Sequence, residues 1–188
     1  MIAPFEQVRS WARGRSAFWR GLLLLYVAYT AGRLLLQPLD LPLYSTWIDP
    51  LTLAIHEGGH IFFSLLPLGQ FMVVAGGTIF QLAAPIATMV MFWRQPDYFA
   101  VGIGGAWLAI SLSNVAVYMN DAMVMELPLV SLGGGEVGHD WNTMLNQFGV
   151  LASAPMLASC VRAAAAIVLV LSLAWSAWTC WLMTRHRE

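Results

Sequence analysis

Charged side chains are scarce in this chain of 188 residues. Only 10% of its residues are Asp, Glu, Lys or Arg and 59% are hydrophobic, whereas an ordinary soluble domain has about 25% charged residues. The mean hydropathy is +0.69. A soluble domain of this length has too much surface to hide so many apolar side chains. The composition therefore excludes a disordered chain and an ordinary soluble enzyme, and it predicts an integral membrane protein.

Lysine is absent, and all nine Lys-plus-Arg positions are arginine. The formal net charge is −1, so the chain offers no strongly basic surface and we expect no nucleic-acid partner. Only two cysteines occur, Cys160 and Cys180. On one helix they would lie about 30 Å apart. This distance excludes a disulfide between them, and with it a disulfide-stabilised secreted fold.

Five apolar stretches are each close to the length of about 20 residues that a helix needs to cross a bilayer. We therefore predict an all-α fold, a polytopic transmembrane bundle of five or six helices that forms a single domain over residues 21–183. Residues 1–20 are predicted to be a basic interfacial segment, and residues 184–188 a polar tail. The five stretches are Phe18–Leu36, Leu51–Leu68, Phe71–Trp93, Tyr98–Met119 and Ala163–Met183.

The arginines also predict an orientation. The basic segment before the first stretch places the N-terminus in the cytoplasm by the positive-inside rule, and we expect a multi-pass protein of a bacterial cytoplasmic membrane. Five crossings would then place the basic tail around Arg185 outside, in conflict with the same rule. A sixth crossing would remove the conflict, and the stretches 122–132 and 144–159 are candidates for a re-entrant or partial span.

The second stretch contains His56-Glu57-Gly58-Gly59-His60, which is an HExxH pattern. The two histidines share one face of a helix, so they can hold one metal ion. Zinc suits two imidazoles and an oxygen ligand, with a fourth position open for water. Glu57 projects beside that position and is the candidate catalytic base. Because ionisable residues are costly inside a span, their clustering indicates a function.

A polar stripe on the fourth stretch combines Asn114, Tyr118 and Asp121, which lie at positions i, i+4 and i+7 of a helix. An Asp at the end of a span can simply be solvated among lipid headgroups. In the functional interpretation, Asn114 holds the substrate backbone or stabilises an oxyanion, and Asp121 is a candidate zinc ligand.

A second polar segment contains His139 and Asp140, which are both potential zinc ligands. Asp140 can alternatively be the N-cap of a helix that begins at Trp141. Adjacent side chains in a loop usually diverge. We therefore expect at most one of the pair to reach the metal, while the other orients a ligand.

Several small or polar residues inside the spans have two interpretations. Gly58 and Gly59 either allow close helix packing or leave room for a substrate backbone. Gly76, Gly77 and Gln81 likewise indicate close packing, with Gln81 aimed at the bundle interior. An interhelical hydrogen bond is the preferred role for Gln81, and lining the catalytic cavity is the alternative.

These residues resemble the site-2 protease class of intramembrane zinc metalloproteases, on the basis of HEGGH inside an apolar stretch. That class carries an Asn followed by an Asp-Gly whose Asp is the third zinc ligand. Asn114 and Asp121 are similar in order and spacing, with Ala122 in place of the Gly and no prolines between. The resemblance covers residues from about 50 to 122, and with the shared stripe it ranks Asp121 first as third ligand, before Asp140 and then His139. The segment around His139 is also similar to segments of uncharacterised bacterial HExxH membrane proteins.

The expected function is that of an intramembrane zinc metalloprotease, a hydrolase that uses a zinc-activated water to cleave a peptide bond. Its partners would be a membrane protein or peptide substrate and the lipid bilayer. Three alternatives remain: a non-proteolytic zinc-binding or transport protein, an accessory structural membrane subunit, and a membrane hydrolase of another bond such as a lipid amide. Glu57 separates the first alternative from an enzyme, because a hydrolase needs a base there and a metal carrier tolerates Gln.

Overall fold

The structure, a computed structural model, describes residues 4–40, 46–127 and 138–185. Helices and short connections make up these residues, and no strand occurs among them. The predicted all-α class is therefore confirmed. The helices are α1 (Pro4–Ala12), α2 (Phe18–Leu36), α3 (Asp49–Ser64), α4 (Gln70–Arg94), α5 (Tyr98–Asn120), α6 (Asp140–Gln147) and α7 (Ala154–Arg185).

Three helical stretches in the described ranges are long and apolar enough to cross a bilayer, namely Gln70–Arg94, Tyr98–Met123 and Leu151–Arg185. They correspond to the last three of the five predicted stretches and agree with a membrane protein. The last one begins well before the predicted start at Ala163, because α7 already begins at Ala154, near the end of the 144–159 stretch.

The first two predicted spans are shorter helices. α2 has 19 residues, or about 28 Å, and includes two arginines. α3 has 16 residues, or about 24 Å, against a hydrocarbon core of about 30 Å. The chain leaves α3 after Ser64 and enters α4 through Gly69, whose φ of 81° suits glycine. The prediction of five or six full spans is thus not confirmed.

α5 is the central helix of the bundle. Of its apolar window 61% is buried inside the protein, against 33% for α4 and 22% for α7. Gly102 and Gly105 let α5 approach Ser176 and Ser172 of α7 closely. A further apolar cluster joins α2, α5, α7 and the residue before α3, and it contains Val27, Ala31, Leu34, Ile48, Ala106, Ala109, Ile110 and Leu169.

One end of the bundle, called the basic end below, is formed by α1, the α4–α5 turn and the last turns of α7. Val8 of α1 is buried against Leu182 and Met183 of α7. Arg20 forms an ion pair with Asp97 in the α4–α5 turn, with 3.7 Å between the charged atoms. The predicted basic interfacial segment therefore includes a helix that packs on the C-terminal end of α7.

The opposite end joins the last turn of α2 to the first part of α7. The guanidinium of Arg162 donates hydrogen bonds to the carbonyls of Leu34 and Leu35, at 2.7 and 3.1 Å. These bonds satisfy carbonyl groups that the end of a helix leaves without partners. A 3₁₀ turn, Asp121–Met123, and α6 complete this end. The re-entrant candidate 122–132 and the tail 184–188 lie partly outside the described residues.

α3 and α4 pack backbone to backbone where Gly59 meets Gly76. A Cβ atom on Gly59 would lie 2.2 Å from the carbonyl oxygen of Gly76, closer than real Cβ contacts allow. A Cβ atom on the neighbouring Gly58 would have no atom within 4 Å. Close packing therefore explains Gly59, whereas Gly58 faces open space.

The two glycines provide a matched test of this packing. Gly59→Ala should destabilise the protein by about 1–3 kcal/mol, because the helices must separate to accommodate the methyl group. Gly58→Ala should leave stability unchanged or raise it slightly, since Ala favours helix over Gly by up to about 1 kcal/mol. Thermal unfolding of both variants in detergent measures the difference, and equal melting temperatures would contradict the α3–α4 contact.

Candidate metal centre

Three potential ligand atoms converge at the site, from His56 and His60 of α3 and from Asp140 of α6. The two Nε2 atoms are 3.1 Å apart. The Oδ2 atom of Asp140 lies 3.1 Å from Nε2 of His56 and 3.3 Å from Nε2 of His60. Zinc bonds of 2.0–2.1 Å in tetrahedral geometry place neighbouring ligand atoms about 3.3 Å apart. The triangle therefore has the edge lengths of one face of a zinc tetrahedron.

The outer nitrogen of each ring has its own partner. Nδ1 of His60 lies 2.8 Å from the carbonyl oxygen of Val73, which can only accept, so Nδ1 carries the proton. Gln81 donates its amide nitrogen to the carbonyl of Ser111 at 3.3 Å, which turns its amide oxygen toward Nδ1 of His56 at 2.9 Å. Nδ1 of His56 is therefore protonated as well. In its neutral form, each ring then presents only a lone pair at Nε2.

These hydrogen bonds decide the electrostatics of the triangle. Two imidazole lone pairs and a carboxylate oxygen of Asp140 repel one another at 3.1–3.3 Å unless a cation lies among them. A proton on one ring or a metal ion can supply that charge. The chemistry of the donor set, two imidazole nitrogens and one carboxylate oxygen, fits zinc.

Two further residues border the triangle. One ligand atom from each of His56, Glu57 and His60 lies within 4.8 Å of the other two, so the carboxylate of Glu57 is beside the histidines. On the other helix, a Cβ atom on Gly77 would lie 2.5 Å from Nε2 of both rings. Glycine at this position keeps the space in front of the two nitrogens free of a side chain.

Asp140 is the first residue of α6, and its backbone N–H donates to the Tyr118 hydroxyl at 3.1 Å. The alternative N-cap role belongs to His139 instead, whose ring accepts from the backbone N–H of Asn142 at 3.2 Å. The carboxylate of Asp140 is therefore not used as a helix cap and can contact the histidines.

The structure does not bring Asp121, which was ranked first as third ligand, to the two histidines of α3. Its carboxylate accepts from the backbone N–H groups of Glu126 and Leu127, at 2.9 and 3.1 Å, and lies 3.1 Å from Nε2 of His139. The ring of His139 has partners on both nitrogens, Asp121 and the N–H of Asn142. The hydrogen bonds of both residues go to groups outside the triangle, so the ranking does not agree with this geometry. Together they join the 3₁₀ turn after α5 to the start of α6, which carries Asp140.

Asn114 also lies away from the triangle. Its side-chain amide donates to the carboxylate of Asp49 at 3.0 Å, at the first residue of α3. That residue precedes His56 by two helical turns, or about 10 Å. The expected contact of Asn114 with substrate or an oxyanion therefore has no support in this geometry. Its role here is to hold the start of α3 against α5.

The sequence indicates the remaining residues of the site only in part. Gln81 stood out as a polar side chain in an uncharged stretch, and its hydrogen bonds to His56 and Ser111 join three helices, which confirms the preferred interhelical role. Tyr118 was recognised as part of the stripe, but its contact with the backbone of Asp140 was not foreseen. The carbonyl of Val73 carries no signal in the sequence, because any residue has one.

Comparison with known proteins gives no match: no family model, no curated protein and no solved structure matches this chain. The resemblance to the site-2 protease class therefore depends on the motif residues alone. What supports a function is the geometry of the triangle and of the groups that orient it.

Gln81 should tune the metal affinity through the ring of His56. Gln81→Leu removes the acceptor for Nδ1 and should weaken zinc binding about 10–100-fold. Gln81→Glu keeps an acceptor at the same place and should retain most of the affinity. Competition with a coloured zinc chelator measures both variants. If the two substitutions weaken binding equally, Gln81 only packs helices and does not orient the ring.

Proposed function

We propose that this protein is an intramembrane zinc metallopeptidase in which His56, His60 and Asp140 bind the zinc. The observation that carries the proposal is the triangle of three lone-pair atoms with edges of 3.1, 3.1 and 3.3 Å. Gln81 and the carbonyl of Val73 orient the two rings from outside. Outer partners of this kind are the usual companions of metal-binding histidines.

The residues around the triangle have distinct tasks in peptide hydrolysis. Zinc, when bound, lowers the pKa of a water toward neutrality and polarises the substrate carbonyl. Glu57 accepts the proton of the attacking water and transfers it to the leaving amine. Gly77 keeps the two ring nitrogens clear of a side chain. Tyr118 holds the backbone of Asp140 in place.

The charges of the proposed site balance. Zinc brings two positive charges, and the carboxylates of Asp140 and Glu57 bring two negative ones, while both imidazoles are neutral. A net charge of zero matters next to hydrocarbon, where an isolated ion is costly. Neither carboxylate has a basic side-chain partner among the contacts found for the described residues, apart from the two histidines.

The proposed setting is a bacterial cytoplasmic membrane with the N-terminus in the cytoplasm, and the substrate is a membrane protein or a membrane-adjacent peptide. Five helices, α2–α5 and α7, contribute to the embedded bundle. α3 enters the bilayer only part of the way, because it is short and follows Ile48, which packs among mid-bundle residues of α2 and α5. The proposed metal-binding helix is thus a half-span, a helix that crosses only part of the bilayer, and it packs against helices that cross all of it.

Removal of single ligands tests the proposed zinc set. The purified protein should contain about one zinc per chain, and alanine at His56, His60 or Asp140 should empty the site. Alanine at Asp121 or His139 should lower the affinity by about 10–100-fold, because these residues only position the loop. Elemental analysis and chelator competition under identical conditions measure the five variants.

The same series can overturn the assignment. Full zinc content in the His56→Ala and His60→Ala proteins would rule out the metal site. An empty Asp121→Ala protein beside a zinc-loaded Asp140→Ala protein would show that Asp121, and not Asp140, is the third ligand.

Glu57→Gln should keep zinc and lose hydrolysis, because an amide cannot accept the proton of the attacking water. The assay uses proteoliposomes that contain single-span model peptides with a glycine-proline break near one end, and mass spectrometry detects the products. Glu126→Gln is the matched control, since Glu126 is an exposed carboxylate outside the triangle. This control should cleave like the wild type.

Undiminished cleavage by Glu57→Gln would rule out the proposed role of Glu57. Absence of zinc-dependent cleavage in the wild type, across the whole peptide panel, would contradict peptidase activity and favour the metal-binding alternative.

A further inference from the structure

The candidate metal centre lies near one end of the bundle. Gly77, which borders the two histidines, follows the start of α4 by seven residues, or about 10 Å. It precedes Arg94, the last residue of α4, by about 25 Å. Tyr118 lies only two residues before the end of α5. The half of the bundle that contains the site is called the site half below.

Arginine is concentrated at the other end. Six of the eight described arginines belong to the basic end, and only two acidic residues, Glu6 and Asp97, accompany them. The site half has the reverse composition, with Arg33 and Arg162 against six acidic residues. Those arginines of the basic end are Arg9, Arg13, Arg15, Arg20, Arg94 and Arg185, and the acidic residues of the site half are Asp40, Asp49, Glu57, Asp121, Glu126 and Asp140.

Tryptophan marks the basic end as a membrane interface. Six of the nine tryptophans of the chain lie there, and several are in ring contact with one another or with Tyr98. Tryptophan is enriched where hydrocarbon meets headgroups. These residues are Trp11, Trp19, Trp93, Trp175, Trp178 and Trp181.

The number of crossings agrees with this charge pattern. α1 and the end of α7 pack together at the basic end, so the chain crosses the bundle an even number of times between them. α2, α4, α5 and α7 provide four passes, and α3 returns to the side from which its connection entered. Because α3 is only a half-span, the chain makes four crossings and not five. Both arginine-rich ends then lie on one face, and the conflict with the positive-inside rule disappears.

We propose that the metal centre opens toward the outer face of the bacterial cytoplasmic membrane. Arginine-rich segments stay in the cytoplasm, so the basic end faces inward and the site half faces outward. Given the proposed peptidase function, the bonds it cleaves lie in the outer leaflet or just outside it. The substrate class is therefore the extracytoplasmic end of a membrane-embedded segment.

Two exposed glutamines at opposite ends give a matched test. Gln95 lies in the α4–α5 turn of the basic end, and Gln147 is the last residue of α6 in the site half. Each is replaced by cysteine in a protein whose Cys160 and Cys180 are changed to alanine. Spheroplasts are then treated with a membrane-impermeant maleimide, before and after permeabilisation. Ser16→Cys and Asn146→Cys, also exposed and at opposite ends, repeat the comparison.

The expected result is labelling of Gln147→Cys in intact spheroplasts and of Gln95→Cys only after permeabilisation. The reverse pattern would place the site on the cytoplasmic face and overturn the proposal. Equal labelling of both positions from outside would also overturn it, because both ends would then lie on one face. The labelling needs neither zinc nor turnover, so its outcome is independent of the zinc and cleavage experiments that test the proposed function.

Discussion

Three potential ligand atoms, Nε2 of His56, Nε2 of His60 and Oδ2 of Asp140, lie 3.1–3.3 Å apart, and this triangle constrains the rest of the bundle. The arrangement is stable only around a cation, so the protein must keep both imidazoles in one tautomer and keep Asp140 ionised. The first requirement places Gln81 and the carbonyl of Val73 behind the rings. The second requirement fixes the point at which α6 begins. The contacts of α4, α5 and α6 therefore all help to position the candidate ligands around α3.

Backbone contact between α3 and α4 is what makes these hydrogen bonds possible. Gly59 and Gly76 let the two helices touch without intervening side chains, and Gly77 then lies directly against the ring nitrogens. A wider separation would move Val73 and Gln81 away from the rings that they orient. Glycine usually costs helix stability, by up to about 1 kcal/mol per residue. Glycine clusters at this contact because it sets the distance between α3, which carries the two candidate histidine ligands, and α4, which orients their rings.

The sequence was sufficient for the local part of the site and not for the part that depends on tertiary structure. Helical periodicity alone places His56 and His60 on one face. It could not choose between Asp121 and Asp140, because the choice depends on how the chain returns after α5. Asp121 has three hydrogen-bond partners of its own, which the stripe on α5 could not reveal. The length of α3 was overestimated for a related reason: apolar residues continue past Ser64, while the helix ends there.

The depth of the site would suit the proposed peptidase function, because hydrolysis inside a membrane has two opposing requirements. A peptide bond in an intact helix is shielded, and unwinding it in hydrocarbon exposes backbone groups that each cost several kcal/mol. About 10 Å from the start of α4, as at Gly77, water and headgroups are near enough to satisfy such groups. Closer to the surface, the low-dielectric surroundings that strengthen the attraction between a dication and Asp140 would be lost. A half-span such as α3 meets both requirements, because a helix that starts inside the bundle and ends at its surface holds its middle residues at this intermediate depth.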